Sequence, residues 1–358
     1  MEILHTSLLA PAMTDHTCDD IPVAVIAPRG RLDRIRLLPA AVRAVPRLQR
    51  YAYHGLNRLA YRTAFRPTFG PRLNQLAADA DVVHSFAFGP LGWAAAEAAR
   101  AAGAGLVVTP FVHPHQWGDG PDDVAFYRGA DAVIGLVDTD TAYLASLDIP
   151  AVKLRTIGVS PDLPATVDPA GFRQSLGLGE APVVLYVGRM MAQKGAASVL
   201  SSMATVWAKV PSARFLFIGP ANAAEAAQFV GLDRRAEYLG KVSAQSKADA
   251  LAACTVFCMP SMSEILPTVY LEAWSYGRPV IGGRAHGLPE LVEGNGAGLS
   301  VSQDGPAVAA AIVGLLNDRD LARRLGGRGR QLVEAKYSVS AVTGQLVEVY
   351  RSVVEAKT

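Results

Sequence analysis

Two glutamates eight residues apart, Glu264 and Glu272, lie in the stretch Ser263-Glu264-Ile265-Leu266-Pro267-Thr268-Val269-Tyr270-Leu271-Glu272. Glu264 follows a short apolar run, Val256 to Met259, and the turn Pro260-Ser261. That run reads as a buried parallel strand. Glu272 falls inside a helix that the pattern starts near Thr268 and ends at Gly277. At about 1.5 Å per residue it lies roughly one turn, ~6 Å, along that helix. Both carboxylates therefore face the crevice at the C-terminal edge of a sheet, where open α/β proteins bind ligands. The amides of Thr268 and Val269, at the helix start, point into the same crevice and suit a phosphate. A single such pair is most often an exposed helix residue beside a loop residue, so the weight rests on a second cluster.

That cluster lies upstream. Val183 to Val187 is a strand, Gly188 gives a tight turn, and Arg189 follows. Lys194-Gly195 then opens a helix that runs to about Lys209. A guanidinium and an ammonium at one strand-to-helix turn form a diphosphate clamp. A Gly-Arg and a Lys-Gly near each other are weak evidence alone; in order with the two glutamates they are strong.

With these residues in place, the chain resembles the retaining nucleotide-sugar glycosyltransferases of the GT-B fold, family 4. The motifs are Val187-Gly188-Arg189 with Lys194-Gly195, Pro260-Ser261 with Glu264, and Glu272-Ala273. Gly277-Arg278-Pro279-Val280-Ile281-Gly282 and Gly287-Leu288-Pro289-Glu290-Leu291 look like the same family. The resemblance is dense from about 180 to 305 and thin before that. It implies that Arg189 and Lys194 hold the donor diphosphate, Glu264 meets the sugar, and Glu272 binds the ribose. Gly188, Leu266, Thr268 and Val269 would complete the donor site, with Gly240 and Val242 at the edge of the base pocket. The implied activity is transfer of a sugar from a nucleoside diphosphate to a hydroxyl with retention, with no metal and no other cofactor. Two features depart from the family. Pro267 stands where many members carry glycine, which removes one N–H donor. Residues 4 to 21 contain no glycine, where members open with a Gly-Gly loop.

The elements that must position these groups alternate between strands and helices, the pattern of doubly wound α/β sheets. In the second half, strands are expected at 183–187, 214–218, 236–239, 255–259, 279–281 and 298–301. Helices near 195–209, 221–230, 244–253, 268–276 and 304–316 connect them. The first half should hold strands at 22–27, 81–84, 105–109, 131–136 and 153–157. The linker is Gly158 to Ala170, with three prolines. The expected architecture is GT-B, two Rossmann-like domains facing across a cleft: 1–165 on the acceptor side and 170–336 for the donor. Amphipathic helices follow at about 318–335 and 339–355, the last crossing back onto the first domain. Gly326-Gly327-Arg328-Gly329 reads as a break between helices.

Bulk properties bound the alternatives. A chain of 358 residues suggests two domains. No apolar run approaches the roughly 20 residues that cross a bilayer. The N-terminus lacks the basic region of a signal peptide. Three cysteines, Cys18, Cys254 and Cys258, make no disulfide framework, so the expected compartment is the cytoplasm. A net charge of +2 points to no nucleic-acid partner. Asp138-Thr139-Asp140 follows a strand and opens a helix, so helix N-capping outweighs a metal role. The absence of a Gly-x-Gly-x-x-Gly after any strand disfavours a nicotinamide enzyme.

Two further features concern the first half. His84 ends a strand and reads as a structural histidine. His113 lies beside His115 and Trp117 in a Pro- and Gly-rich loop, and the resemblance places it where relatives present a histidine to the reacting sugar. From Arg29 to Arg72 there are eleven arginines, no lysine and a single acid, Asp33. Arg43, Arg47, Arg50, Arg58 and Arg62 recur at helical spacing as one stripe. A solvated helix face is one account of it; the other is a surface for anionic lipid or an anionic acceptor, which would put the protein at the inner membrane face. The acceptor class stays open between a sugar, a lipid-linked molecule and a small molecule. Rival functions are a sugar-nucleotide epimerase of the same fold and a non-catalytic nucleotide-sugar binder.

Overall fold

The computed structural model describes residues 3–6, 16–18, 21–26, 58–59, 61–86 and 88–358. The chain divides into two compact units: residues 1–135, 141–156 and 346–358 form the first, and 136–140 with 157–345 the second.

The first unit contains β1 (Ile3–Thr6), β2 (His16–Cys18) and β3 (Ile21–Ile26), with β3 parallel to β1 and antiparallel to β2. It continues with α1 (Arg66–Ala77), β4 (Val82–Ser85), α2 (Gly89–Ala102), β5 (Gly105–Val108), α3 (Pro121–Arg128) and β6 (Ala132–Gly135). α4 (Asp138–Ser146) and β7 (Leu154–Thr156) close it. β4 to β7 form a parallel sheet in sequence order. β5 and β6 are buried along their whole length, as their unbroken apolar sequences require. Leu106, Val108, Val133, Tyr127 and Leu144 make the core between sheet and helices.

The second unit runs through α5 (Pro169–Ser175), β8 (Val183–Val187), α6 (Ala196–Lys209), β9 (Arg214–Ile218), α7 (Ala223–Ala227) and β10 (Ala236–Gly240). It continues with α8 (Ala244–Ala253), β11 (Val256–Met259), α9 (Thr268–Ser275), β12 (Val280–Gly282), α10 (Leu288–Val292) and β13 (Gly298–Ser300). Last come α11 (Gly305–Asn317), α12 (Arg319–Leu332), a π-helical turn at Val333–Tyr337 and the start of α13 (Val339–Glu355), whose residues from 346 onward count with the first unit. The six strands are parallel in the order β10-β9-β8-β11-β12-β13. Polar side chains fix the helix starts. Asp168, Ser243, Asp304 and Asp318 each accept from a backbone N–H three residues on, at 2.8–3.0 Å.

Every strand expected in the second half is present within two residues of its expected bounds. β1, β2 and the short α10 were not foreseen. Three readings are corrected. Gly326 to Gly329 do not break a helix; they lie inside α12. A Cβ on Gly326 would stand 2.0 Å from the Gly277 carbonyl oxygen, and one on Gly329 would stand 2.1 Å from the Trp274 ring. The glycines let α12 sit directly against α9, a packing demand that outweighs their low helix propensity. The Asp138–Asp140 motif does not cap α4 from its first residue. Instead Asp140 reaches back to accept from the Leu136 N–H at 2.9 Å. Burial raises that carboxyl to about 6. The arginine stripe is corrected in part: Arg58 is ion-paired with Asp122, its Nε 2.7 Å from the carboxylate, so its charge is already met within the protein. Arg62 is exposed, and Arg43, Arg47 and Arg50 lie outside the described residues.

His84 is held as a structural residue. Its Nδ1 lies 2.7 Å from the Tyr350 hydroxyl and its Nε2 2.9 Å from the Thr109 hydroxyl. Burial lowers its pKa to about 4, so the ring is neutral. Cys254 and Cys258 are free and buried, at the end of α8 and within β11. Among the described residues no helix is long and apolar enough to cross a membrane.

Candidate active site

The strand order β10-β9-β8-β11-β12-β13 reverses direction between β8 and β11. Loops leaving the C-terminal ends of these two neighbours diverge to opposite sides, which opens a crevice there. Gly188-Arg189 leaves β8, and Pro260 to Glu264 leave β11. The order thus brings together two motifs about 70 residues apart.

The β8 turn is tightly held. The Gly188 N–H donates to the Ile218 carbonyl at 2.9 Å. The Tyr186 hydroxyl donates to the Arg189 carbonyl at 2.8 Å, which fixes the backbone at the root of the guanidinium. Arg189 itself is exposed and has no ion-pair partner among the described residues.

Lys194 and Glu264 meet. Lys194 Nζ lies 2.5 Å from Glu264 Oε1 and donates to the Ser263 carbonyl at 2.9 Å. Both side chains are largely shielded, 17% and 14% exposed. An ammonium carries three N–H groups, so one remains for a ligand. The close approach depends on Gly195, whose φ is +86° and whose Cβ would stand 2.7 Å from the Pro260 carbonyl oxygen. Gln193 and Gln303 lace the two loops together. The Met262 N–H donates to the Gln193 carbonyl at 2.8 Å, and Gln303 Nε2 donates to the carbonyls of Gln193 and Pro260 at 3.1 and 2.9 Å. Nothing in the local sequence marks Gln193, Gln303 or Tyr186 for this work.

α9 starts without a side-chain cap, because its N-cap residue is Pro267. The N–H groups of Thr268 and Val269 have no partner among the described residues. Leu266, just before the helix, is buried. The Tyr270 hydroxyl donates to the Met259 carbonyl at 2.6 Å and the Trp274 indole N–H to the Ala297 carbonyl at 2.8 Å, anchoring α9 to β11 and to the start of β13. One turn in, Glu272 is 5% exposed. Lys247 Nζ of α8 stands 2.6 Å from its Oε2. Each glutamate of the pair thus has its own lysine, and Lys247 was not singled out by any sequence signal.

Gly240 ends β10 at φ +66° with open space where a Cβ would stand, and its carbonyl accepts from the Gly219 N–H at 2.8 Å. Val242 is half-buried beyond it. His113 belongs to the first unit, where it pairs with Trp117 in a small hairpin. No group of three potential metal ligands occurs among the described residues. Arg189, Lys194, Glu264 and the start of α9 thus stand around one switch point, where cations and free amides suit a phosphorylated ligand.

Comparison with known proteins gives the family and the fold. Residues 181–318 match the family described as glycosyl transferases group 1, and residues 7–159 match the glycosyl transferase 4-like domain. The chain is 30% identical over 311 residues to a GDP-mannose-dependent alpha-(1-6)-phosphatidylinositol monomannoside mannosyltransferase of Mycobacterium tuberculosis, covering 80% of each. It is 30% identical over 268 residues to D-inositol 3-phosphate glycosyltransferase 2 of Catenulispora acidiphila, covering 66% of this chain and 61% of that one. Among solved structures, sucrose-phosphate synthase from Thermosynechococcus elongatus superposes with a TM-score of 0.72 at 22% identity, over 99% of this chain and 89% of that one. Anabaena Alr3699/HepE in complex with UDP and glucose gives 0.69 at 19% identity, over 93% and 87%. These neighbours share the GT-B fold of two Rossmann-like domains, and by sequence the chain belongs to the group 1 glycosyltransferases.

Proposed function

We propose that the protein moves a sugar from a nucleoside diphosphate sugar to an acceptor hydroxyl with retention at the anomeric carbon. The observation that carries this is the convergence of Arg189, Lys194 and the open amides of α9 at the switch point. The bond from the anomeric carbon to the diphosphate oxygen breaks, and its electron pair leaves with the diphosphate. The acceptor oxygen bonds to the anomeric carbon on the same face, and its proton passes to the departing phosphate. Arg189, the third N–H of Lys194 and the amides of Thr268 and Val269 meet the growing negative charge. Glu264 takes the sugar hydroxyls and holds Lys194 in place. Glu272 takes the ribose, with Gly188, Leu266, Gly240 and Val242 lining the rest of the donor site. The donor charge is met by side chains, and no metal or other cofactor is assigned.

The second unit is the donor domain in this account, and the first is the acceptor domain. The Mycobacterium tuberculosis relative is named for GDP-mannose and for a phosphatidylinositol-linked acceptor, and the HepE structure holds UDP and glucose. These support a nucleotide-sugar donor and a sugar or lipid-linked acceptor. The test is thermal stabilisation by a panel of nucleotide sugars, followed by donor hydrolysis without acceptor. Arg189→Ala should lower hydrolysis by about 10²–10³ while leaving the fold intact. A chain stabilised by nucleotide sugars that never hydrolyses or transfers them would instead be a binding protein.

A further inference from the structure

The loop after β5 carries the most exposed of the four tryptophans. Residues 113–117 form a miniature hairpin in which the His113 N–H donates to the Trp117 carbonyl at 3.1 Å and the Trp117 N–H to that of His113 at 3.2 Å. Opposed residues of such a pair project from one face, and the His113 and Trp117 rings stand 4.3 Å apart at 48°. Trp117 is 42% exposed, and its indole N–H has no hydrogen-bond partner among the described residues. By contrast Trp274 is fully buried and the Trp207 indole N–H is spent on the Ala213 carbonyl.

This exposure is built into a rigid loop. Only three non-glycine residues among those described adopt positive φ, and two of them, Phe111 (50°) and His115 (62°), flank or form the hairpin. Gly118 follows at 82°. The strained backbone is fastened from below: the Tyr127 hydroxyl donates to the Gly118 carbonyl at 2.7 Å, and the Asp119 carboxylate accepts from the His115 N–H at 2.7 Å and the Tyr143 hydroxyl at 2.8 Å. Backbone strain that the surroundings over-determine is a mark of ligand sites.

We propose that this hairpin is a carbohydrate-binding subsite, in which the open face of Trp117 takes the C–H face of a pyranose ring and its N–H takes a ring hydroxyl. An aromatic ring with one polar handle suits a ligand that is apolar on its faces and hydroxylated at its rim. The exposed neighbours at the tip are His115 and Gln116, with no second large apolar side chain, which favours a sugar over an acyl chain. The inference rests on the glycosyltransferase reading and gives its acceptor side a chemical class: a molecule whose accepting end is a pyranoside.

Saturation-transfer NMR on the full chain tests it with methyl α-D-mannopyranoside and methyl α-D-glucopyranoside, and acrylamide quenching of Trp117 fluorescence, isolated by difference against Trp117→Phe, gives a second readout. At least one glycoside should receive saturation and shield Trp117 from quenching. Trp117→Ala should weaken that binding about 3- to 10-fold, the scale of an aromatic contact, and Trp117→Phe should retain most of it. Absence of transfer from both glycosides, or undiminished binding by Trp117→Ala, would overturn the proposal. So would shielding by neutral phosphatidylcholine vesicles in place of the glycosides, which would make the hairpin a membrane contact. Nucleoside diphosphate binding, measured on the same sample, separates the outcomes: if it persists while glycosides fail, only the subsite falls; if it is missing, the donor reading falls with it.

Discussion

The contact between Lys194 and Glu264 can be tested by a double-mutant cycle. The two groups are 2.5 Å apart and only 17% and 14% exposed, so removing one leaves the other shielded and without its counter-charge. Breaking a fully buried pair costs about 3–5 kcal/mol; with this residual exposure each single change, Lys194→Met or Glu264→Gln, should cost about 2 kcal/mol in urea unfolding. The double variant should cost less than the sum, leaving a coupling of about 1–3 kcal/mol. Nucleotide binding should respond unequally. Lys194→Met removes a phosphate donor and leaves a carboxylate facing the diphosphate, whereas Glu264→Gln keeps the ammonium. Charged hydrogen bonds contribute about 1.5–3 kcal/mol, so calorimetry with a nucleoside diphosphate should show about 10- to 100-fold weaker binding for Lys194→Met. Glu264→Gln should stay near wild type in that assay while transfer falls. Additive unfolding energies, or equal losses of nucleotide affinity, would refute the assignment of the lysine to phosphate and the glutamate to sugar and lysine together.

Other expectations are as direct. Glu272→Gln should weaken nucleoside diphosphate binding in calorimetry by about 10-fold, the effect of losing one charge-assisted hydrogen bond, while leaving affinity for inorganic diphosphate unchanged. His84 has a pKa lowered by burial to about 4 from an ordinary 6.5. Its neutral form is therefore favoured by folding, and its contribution is complete above pH 6.5 and lost as pH falls toward 4. The loss should reach about 3 kcal/mol, and His84→Gln should flatten stability over that window in urea titrations. Two glycines of α12 should respond with opposite signs in thermal denaturation. Gly329→Ala would drive a methyl into the Trp274 ring and cost about 1–3 kcal/mol, whereas Gly327→Ala meets nothing within 4 Å and should gain about 0.5–1 kcal/mol.

The sequence by itself determined the strands of the second unit and the residue types that stand at their ends in the candidate site. β8, β9 and β11 are short, almost wholly apolar runs that can only be buried strands, and Arg189, Lys194, Glu264 and Glu272 follow their ends at spacings that a strand–turn–helix unit dictates. What the tertiary structure decided are relations between residues distant in sequence. Lys194 finds Glu264 across 70 residues, and Lys247 finds Glu272 across the packing of α8 against α9. Neither pairing leaves a local signature, because a charged side chain reads the same whether its partner is water or a carboxylate. The same holds for Gly326 and Gly329, which read locally as a helix break and are in fact the surface on which α9 rests. Helix propensity is a matter of at most about 1 kcal/mol per glycine, and the contact of α9 with α12, which only the folded chain creates, exceeds it.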